Sequence, residues 1–383
     1  MNNFTLYTPT KILFGKGEVA KLSSLLPKDK KILLLYGGGS IKQNGVYDEV
    51  IDAIGGFDFV EFGGIEVNPD FDTCLKARDF AKQNKIEFLL SVGGGSVLDT
   101  TKFIAMIFYE NGDEWSLLEG KKIAKNALPI ASVMTLPATG SEMNNGGVIS
   151  RRSTNDKLSF KSYLVFPKFS IIDPSHTATL PLRQIQNGIV DTFVHTLEQY
   201  ATWDINTPMQ DLWAIGILRT LLEEGPKAIE NPSNYDVMAN ICWCATCGLN
   251  GWISAGVIQD WAVHMIGHEL TGFYGIDHAQ SLAIVLPSRY RLHMKNKKEK
   301  LYKLGIEAFK IEGNKDQIAL KCIDKIEEFF NSLGVKTHLS DYGIDEKDAA
   351  IRISERFNQR YKIWGEHDEV TPEVVRIILI NAK

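Results

Sequence analysis

The chain has 383 residues, of which 44% are apolar, and a net charge of −5, so two globular domains are expected rather than one core. The mild charge argues against nucleic acid or a membrane surface as the main partner. No run of about 18 apolar residues is present, and the opening MNNFTLYTPTKI lacks the hydrophobic segment of a signal peptide. We therefore expect a soluble cytoplasmic protein.

The first 180 residues alternate short apolar runs with amphipathic ones. VYDEVIDAI, FDTCLKARDFAKQNK and SVLDTTKFIAMIFYE have the periodicity of helices. Strands alternating with helices predict a parallel sheet that is covered on both faces. The segments predicted as strands are 31–36, 57–62, 87–92, 129–135, 148–150, 163–166 and 169–173.

From about residue 183 onward the pattern is helical. The pattern changes near Leu180-Pro181, which predicts an α/β domain over residues 1–181 and an all-helical domain over 182–383. The basic stretch KNKKEK at 295–300 is expected to be a solvated helix end. The predicted helices of this half are 184–202, 208–228, 234–254, 258–271, 279–293 and 315–333.

Two Gly-Gly-Gly-Ser segments, at 37–40 and 93–96, each follow a predicted strand and open a helix. Glycine lets the backbone approach a phosphate closely, and the N–H groups at a helix start favour negative charge. Either copy alone could be an ordinary strand-to-helix turn. Two copies at the carboxyl ends of parallel strands lie where open α/β sheets bind nucleotides, although neither has the usual Gly-x-Gly-x-x-Gly pattern. We therefore expect a dinucleotide or similar phosphate ligand.

The first glycine segment also bears on the choice of dinucleotide. Many dinucleotide sites place an acid just after a strand, where it binds the 2′-hydroxyl of adenosine. After KILLLY no acid occurs before Asp48, and Ser40 and Lys42 are present instead. Because such a site would not repel a 2′-phosphate, the sequence favours NADPH over NADH.

Asp191 and His195 are four residues apart and share one face of a predicted helix, while His264 and His278 fall in a second short window. An isolated helical histidine is commonly structural. Here four of the eight histidines of the chain fall in these two windows. One carboxylate and three imidazoles, without a thiolate, suit a divalent metal such as Fe(II) or Zn(II).

These residues resemble the iron-containing alcohol dehydrogenase family, in its NADPH-dependent aldehyde reductase and butanol dehydrogenase branch. The resemblance is carried by GGGSVLDTTK at 93–102, LPATGSE at 136–142 and the Asp191/His195/His264/His278 set, and it runs the full length. It implies a fold similar to dehydroquinate synthase, with an N-terminal α/β dinucleotide-binding domain and an all-α C-terminal domain. It also implies NADP(H), a divalent metal, an aldehyde or alcohol substrate and a homodimer.

The resemblance implies roles for individual residues. The metal ligands are Asp191, His195, His264 and His278. His268, one helical turn after His264, would relay the alcohol proton or orient substrate; the alternative is that it fixes the ligand geometry. The cofactor positions are Gly38, Gly39 and Ser40 at the adenosine-phosphate end, Asn68 at the ribose, Gly94, Gly95, Ser96 and Asp99 at the pyrophosphate, and Thr135, Thr139, Asn144 and Lys157 along the remaining length.

Two positions leave alternatives open. Trp252 stands where the branch usually has a smaller residue, so it either narrows a substrate pocket or packs against helices. Asp260, four residues before His264, is either a carboxylate that supports a ligand or a helix-start acid, and we favour the latter.

Other functions on the same fold are also considered. A lyase or sugar-phosphate cyclase needs basic residues around a substrate phosphate, and the windows 185–203 and 255–285 contain no Lys or Arg. A polyol dehydrogenase of glycerol type usually has three protein ligands rather than four, and it is kept as the alternative. A non-catalytic binding protein is disfavoured because two phosphate loops and a four-ligand cluster occur in one chain.

Overall fold

The chain folds into two compact units in the computed structural model, which describes residues 1–360 and 362–383. None of the helices in this described part is long and apolar enough to cross a membrane. The sheet unit comprises Tyr7–Pro181 and Asn231–Thr246, and the helical unit comprises Met1–Leu6, Leu182–Glu230 and Cys247–Lys383.

A six-stranded sheet forms the centre of the sheet unit, in the order β1-β8-β5-β4-β2-β3 with every pair parallel. β6 and β7 form a separate antiparallel ribbon. The strands are β1 (Lys11–Phe14), β2 (Ile32–Tyr36), β3 (Phe59–Phe62), β4 (Phe88–Gly93), β5 (Ile130–Met134), β6 (Gly146–Arg151), β7 (Asp156–Lys161) and β8 (Phe169–Ile172).

The central sheet is buried on both faces, because successive residues of a strand point to opposite sides. Leu33 and Leu35 of β2 belong to one apolar cluster, and Ile32 and Leu34 belong to another. The near-continuous apolar runs of the sequence are explained by this burial. The predicted α/β fold with a parallel sheet is confirmed.

Helices make up most of the helical unit, and in the sheet unit they cover the central sheet. They are α1 (Leu22–Leu25), α2 (Val46–Ile54), α3 (Phe71–Gln83), α4 (Gly95–Ile107), α5 (Leu182–Tyr200), α6 (Pro208–Glu230), α7 (Tyr235–Gly248), α8 (Ala262–Tyr274), α9 (His278–Leu292), α10 (Met294–Glu307), α11 (Lys315–Ser332), α12 (Glu346–Gln359) and α13 (Pro372–Ile380).

The strand predicted at 163–166 is wrong, because Tyr163–Val165 form a 3₁₀ helix. The side chain of Ser162 accepts a hydrogen bond from the Leu164 backbone N–H, which starts a turn instead of a strand. Residues 249–261, predicted to be mostly helical, form an irregular connection between α7 and α8. The elements that were not predicted are β1, β7, α1, α10, α12 and α13.

The expectation that KNKKEK is a solvated helix end is also wrong. The stretch lies inside α10, and the side chains of Lys297 and Lys300 are buried. Lys300 pairs with Asp211, and Lys297 pairs with Asp260 at 2.7 Å. The two lysines therefore lie on the buried face of α10 and take part in ion pairs there.

Candidate metal and cofactor sites

Helix α5 presents Asp191 and His195 on one buried face, as their four-residue spacing predicts. The two side chains are 5% and 7% exposed, and Asp191 Oδ2 lies 3.6 Å from His195 Nδ1. This face of α5 therefore offers a carboxylate and an imidazole to the same small volume.

His264 is the third residue of α8, and its ring stacks on that of His195 with centroids 4.4 Å apart. One potential ligand atom from each of Asp191, His195 and His264 lies within 4.8 Å of the others. A group of this size matches the spacing of donors around one cation. The structure thus brings together three of the four predicted ligands.

His278 is the first residue of α9, and its Nε2 lies 3.6 Å from Asp191 Oδ1. The preceding Asp277 caps α9 and accepts hydrogen bonds from Arg183 Nε and Asn187 Nδ2 of α5, both at 2.6 Å. These bonds tie the start of α9 to the helix that carries Asp191. His278 therefore borders the three-residue cluster and contacts it through Asp191.

Two observations indicate that the cluster is suited to bind a divalent cation. Among the described residues, Asp191 Oδ1 and His195 Nδ1 are buried and have no hydrogen-bond partner, which is costly unless something else binds them. Burial also lowers the pKa of His195 to about 4, so its imidazole is neutral near pH 7 and can act as a ligand. Nitrogen and oxygen donors without sulfur suit Fe(II) or Zn(II).

His268 and Trp261 lie beside the histidines that are predicted to be metal ligands. The ring centroid of His268 lies 5.1 Å from that of His278, and its side chain is buried. Trp261 stands edge-on to His264 at 5.3 Å, a contact that the sequence did not predict. His268 is therefore near the proposed ligands, at a distance from which it can act on substrate or on His278.

Glu198, which sequence reasoning missed, lies on the face of α5 that carries Asp191 and His195, seven residues after Asp191. It is fully buried and its carboxylate contacts His264 Nδ1. Burial raises the pKa of this carboxyl well above its usual range, against the hydrogen bond from Val263 N that lowers it. The sequence feature that could have identified Glu198 is its spacing of seven residues from Asp191 and three from His195, which places it on the same face of the helix.

Asp260 does more than the predicted helix-start role. Its Oδ1 accepts from Ala262 N at 3.0 Å, and its Oδ2 accepts from Arg289 and Lys297 at 2.9 and 2.7 Å. Burial opposes ionisation here, but the two cations hold the pKa of Asp260 below its usual value. Asp260 therefore fixes the start of α8 and joins it to a buried charge network.

In the sheet unit, the second glycine segment connects β4 to α4. The amino end of α4 begins at Gly95, and Ser96 follows in its first turn. A Cβ on Gly95 would lie 2.7 Å from Thr139 Oγ1, and one on Gly94 would lie 3.0 Å from Leu136 Cβ. Glycine is therefore required here by packing against the loop that follows β5.

Thr135 and Thr139 lie in that loop, where Thr135 N donates to Gly93 O at 3.0 Å. Because β4 and β5 pair in register from Leu89↔Ile130 to Gly93↔Met134, their carboxyl ends meet at one edge of the sheet. The structure thus brings Gly94 and Gly95 together with both threonines.

Asp99 and the buried Lys102 hold the segment 141–148 against α4. Asp99 accepts from Ser141 Oγ at 2.7 Å and Val148 N at 2.9 Å. Lys102 Nζ donates to Ser141 O, Asn144 Oδ1 and Gly146 O at 2.7 to 3.0 Å, and burial lowers its pKa to about 8. Asp99 and Asn144 therefore shape the loop.

The first glycine segment, with Gly38, Gly39 and Ser40, follows β2. A Cβ on Gly38 would meet no described atom within 4 Å, and its φ is not positive, so neither packing nor backbone strain requires glycine there. Open space beside a glycine is consistent with close approach by a ligand. In the same unit, Lys157 Nζ donates to Asn68 Oδ1 at 2.9 Å.

Lys42, just after that segment, lies near a carboxylate that the sequence did not reveal. Its Nζ is 3.6 Å from Glu61 of β3 and 4.8 and 4.4 Å from the ring centroids of Tyr36 and Tyr47. A hydrogen bond with Tyr36 raises the pKa of Lys42, although the side chain is exposed. A positive charge is thus held beside the open glycine segment.

Trp252 lies in the irregular 249–261 connection and packs its ring against Trp213, with centroids 6.3 Å apart. Both tryptophans belong to the helical unit. This contact accounts for Trp252 as a packing residue, and its effect on a substrate pocket stays a prediction.

Comparison with known proteins covers both units. Residues 9–174 match the family described as iron-containing alcohol dehydrogenase, and residues 185–379 match the Fe-containing alcohol dehydrogenase family, C-terminal. The chain is 50% identical to NADPH-dependent aldehyde reductase YqhD of Escherichia coli over the whole of both chains. It is 43% identical to probable NADH-dependent butanol dehydrogenase 1 of Bacillus subtilis over 91% of each.

Solved structures agree with these matches. The crystal structure of E. coli YqhD is 49% identical, covers 100% of this chain and 99% of its own, and has a TM-score of 0.98. The NADH-dependent butanol dehydrogenase A from Thermotoga maritima is 36% identical, covers 99% of this chain and 98% of its own, and has a TM-score of 0.95. The chain therefore belongs to the iron-containing alcohol dehydrogenase family.

Proposed function

We propose that this protein is a metal-dependent oxidoreductase that transfers hydride from NADPH to small aldehydes, and in reverse oxidises primary alcohols such as butanol. The observation that carries the proposal is the buried cluster of Asp191, His195 and His264, bordered by His278. Similarity to an aldehyde reductase over the whole chain and to a probable butanol dehydrogenase over 91% of it supports the same reaction class.

Asp191, His195, His264 and His278 would hold the cation, Fe(II) or Zn(II). A bound divalent cation polarises a carbonyl oxygen and stabilises the negative charge that develops on it, while the nicotinamide supplies the hydride. The chain's own part is to hold four donors on α5, α8 and α9. Stabilisation of such charge is worth about 10²–10³ in rate for each major contact.

The proposed cofactor residues all belong to the sheet unit. The open space at Gly38 and the N–H groups at the start of α4 support phosphate positions at the two glycine segments. The proposed contacts are Gly38, Gly39, Ser40, Asn68, Gly94, Gly95, Ser96, Asp99, Thr135, Thr139, Asn144 and Lys157. For Asp99 and Asn144 the hydrogen bonds above support a role in shaping the loop.

NADPH is proposed over NADH because Ser40 and Lys42 follow β2 in place of an acid. Glu61 lies close to Lys42 and reduces the net positive charge there. The relatives include both NADPH- and NADH-dependent enzymes by name, and comparing kcat/KM for the two cofactors tests the preference.

His268 is proposed as the catalytic residue that relays the alcohol proton or orients substrate. Its burial and its distance of 5.1 Å from the His278 ring support a place beside the ligands. A cytoplasmic location and a homodimer remain predictions, and light scattering of the purified protein tests the latter.

The decisive experiment mixes anaerobically prepared protein, loaded with Fe(II) or Zn(II), with NADPH and butanal. We expect aldehyde-dependent loss of NADPH absorbance that requires the metal. A parallel assay of glycerol with NAD⁺ tests the polyol dehydrogenase alternative. Activity with glycerol alone would favour that alternative, and no activity in either assay with any metal would contradict both.

A further inference from the structure

Glu198 is a buried carboxylate on α5 that faces the first turn of α8. Its Oε1 accepts a hydrogen bond from Val263 N at 2.7 Å, and its Oε2 accepts a longer one from His264 N at 3.3 Å. Oε2 also contacts Nδ1 of the His264 ring. Three donors from two consecutive residues therefore converge on one side chain that is outside the proposed ligand set.

The first turn of α8 needs such acceptors, because the first N–H groups of a helix have no partner within it. Trp261 occupies the N-cap position and its side chain makes no capping bond. Asp260 accepts from Ala262 N, and Glu198 accepts from the next two N–H groups. Since a helix N-terminus favours negative charge, Glu198 is placed to anchor α8 to α5.

The same carboxylate determines which ring nitrogen of His264 is available. Both carboxylate oxygens accept backbone N–H bonds, which favours the ionised form, and an ionised carboxylate only accepts, so Nδ1 donates its proton to Oε2. A neutral imidazole has one N–H, and its other nitrogen, Nε2, then carries the lone pair that binds a cation. Such a carboxylate–histidine pair fixes the tautomer and the ring orientation of a metal ligand.

We propose that Glu198 is a positioning residue that holds His264 in the tautomer and orientation that present Nε2 to the cation. This inference rests on the proposed metal-dependent function and adds a residue that determines metal affinity. Glu198 acts through His264 and touches neither substrate nor cofactor in this assignment. The buried cations Arg289 and Lys297 pair with the neighbouring Asp260 and offset part of its negative charge beside Glu198.

The test compares Glu198→Gln with Asp211→Asn. A glutamine keeps the size of the side chain, but its NH₂ group must face either the Val263 N–H, which is also a donor, or Nδ1, which must then accept and leaves the ring proton on Nε2. Asp211 is a buried carboxylate of the same unit that pairs with Lys300 and does not belong to the cluster of Asp191, His195 and His264, so Asp211→Asn is a matched loss of buried charge.

The measurement is the Zn(II) dissociation constant of each purified protein by competition with a chromophoric chelator. We expect Glu198→Gln to bind Zn(II) about 10- to 100-fold more weakly than the unchanged protein. Asp211→Asn should bind Zn(II) as the unchanged protein does, whatever its loss of thermal stability. Equal Zn(II) affinity in all three proteins would overturn the proposal.

A second measurement keeps the proposal testable if Glu198→Gln does not fold. In the Zn(II)-loaded unchanged protein, ¹⁵N NMR of labelled histidine should show His264 with a proton on Nδ1 and the metal on Nε2. The opposite tautomer would overturn the inference. If the unchanged protein binds Zn(II) but does not reduce butanal, the proposed function is contradicted. The role of Glu198 in metal binding is still tested in that case, by the Zn(II) affinities of the three proteins.

Discussion

The two units prepare their candidate sites by different physical means. The sheet unit offers backbone N–H groups, open space and glycines at the carboxyl ends of strands, as at Gly38 and the start of α4. The helical unit offers ionisable side chains from three helices. A phosphate needs room and dipoles that neighbouring residues provide, whereas a cation needs charged and polar donors gathered from distant parts of the chain.

The supporting residues differ in the same way. Behind the ligands of the helical unit are further buried charges, with Arg289, Lys297 and Lys300 fully or almost fully buried. Behind the second glycine segment, the contacts are mainly packing, as between Gly95 and Thr139, with Lys102 as a buried cation. Substitutions in the helical unit should therefore act through unbalanced charge, and those at Gly94 and Gly95 of the second glycine segment through steric clash.

The largest expected effect is at the ligand cluster. His195→Ala removes one donor and leaves Asp191 with His278 as its one neighbouring imidazole among the proposed ligands, so we expect loss of bound metal and a fall in aldehyde reduction of about a thousandfold or more. NADPH binding, followed by the fluorescence of the reduced nicotinamide, should persist. His338→Ala, at a half-exposed histidine, is the control, and an equal loss of metal there would contradict the assignment.

The second effect concerns stability. Lys297→Met leaves Asp260 and Glu366 without the ammonium that pairs with both at 2.7 Å, and breaking such a buried network costs about 3–5 kcal/mol. Urea unfolding followed by circular dichroism should show the loss. Lys298→Met, at the next residue of α10 with a largely exposed ion pair to Asp316, should cost about 1 kcal/mol or less. Similar losses of unfolding free energy in the two variants would show that the buried ion pairs of Lys297 stabilise the protein no more than the exposed pair of Lys298.

Lys297 also illustrates which parts of the fold the sequence could predict. The parallel strands other than β1 were predicted, because strands buried on both faces are continuous apolar runs, as in KILLLY. In α10, Lys297 and Lys300 occupy buried positions beside Leu301 and Leu304. A lysine in a core position has no hydrophobic signal, so the pattern predicted a solvated segment. The ribbon strand β7, with the sequence DKLSFK, was missed for the same reason.

The site was predictable where its residues follow a local geometric rule. Asp191 and His195 share a helical face by spacing alone. Glu198 shares that face too, but a glutamate in a helix usually lies at the surface, and its partner His264 is 66 residues away. The burial that makes Glu198 significant arises only from tertiary packing. Glu61 beside Lys42 was missed for a similar reason, because they come from separate elements.

The third effect concerns the close packing of the second glycine segment against the loop after β5. In Gly95→Ala the new Cβ would lie 2.7 Å from Thr139 Oγ1, so the loop after β5 must move, at a cost of about 1–3 kcal/mol. We expect weaker NADPH binding by fluorescence titration and unchanged metal content. Gly56→Ala, where a Cβ meets no described atom within 4 Å, is the control. If both variants bind NADPH equally well, the glycine loop does not contact the cofactor.

The smallest expected effect concerns the choice of cofactor. Lys42→Ala removes the ammonium beside the first glycine segment and leaves Glu61, which would then repel a 2′-phosphate. The ratio of kcat/KM for NADPH to that for NADH should therefore fall several-fold, more at low ionic strength than at high because the site is exposed. Lys28→Ala, at an exposed lysine elsewhere in the sheet unit, controls for net charge. An unchanged ratio in Lys42→Ala would mean that the absence of an acid after β2, rather than the lysine, determines the preference.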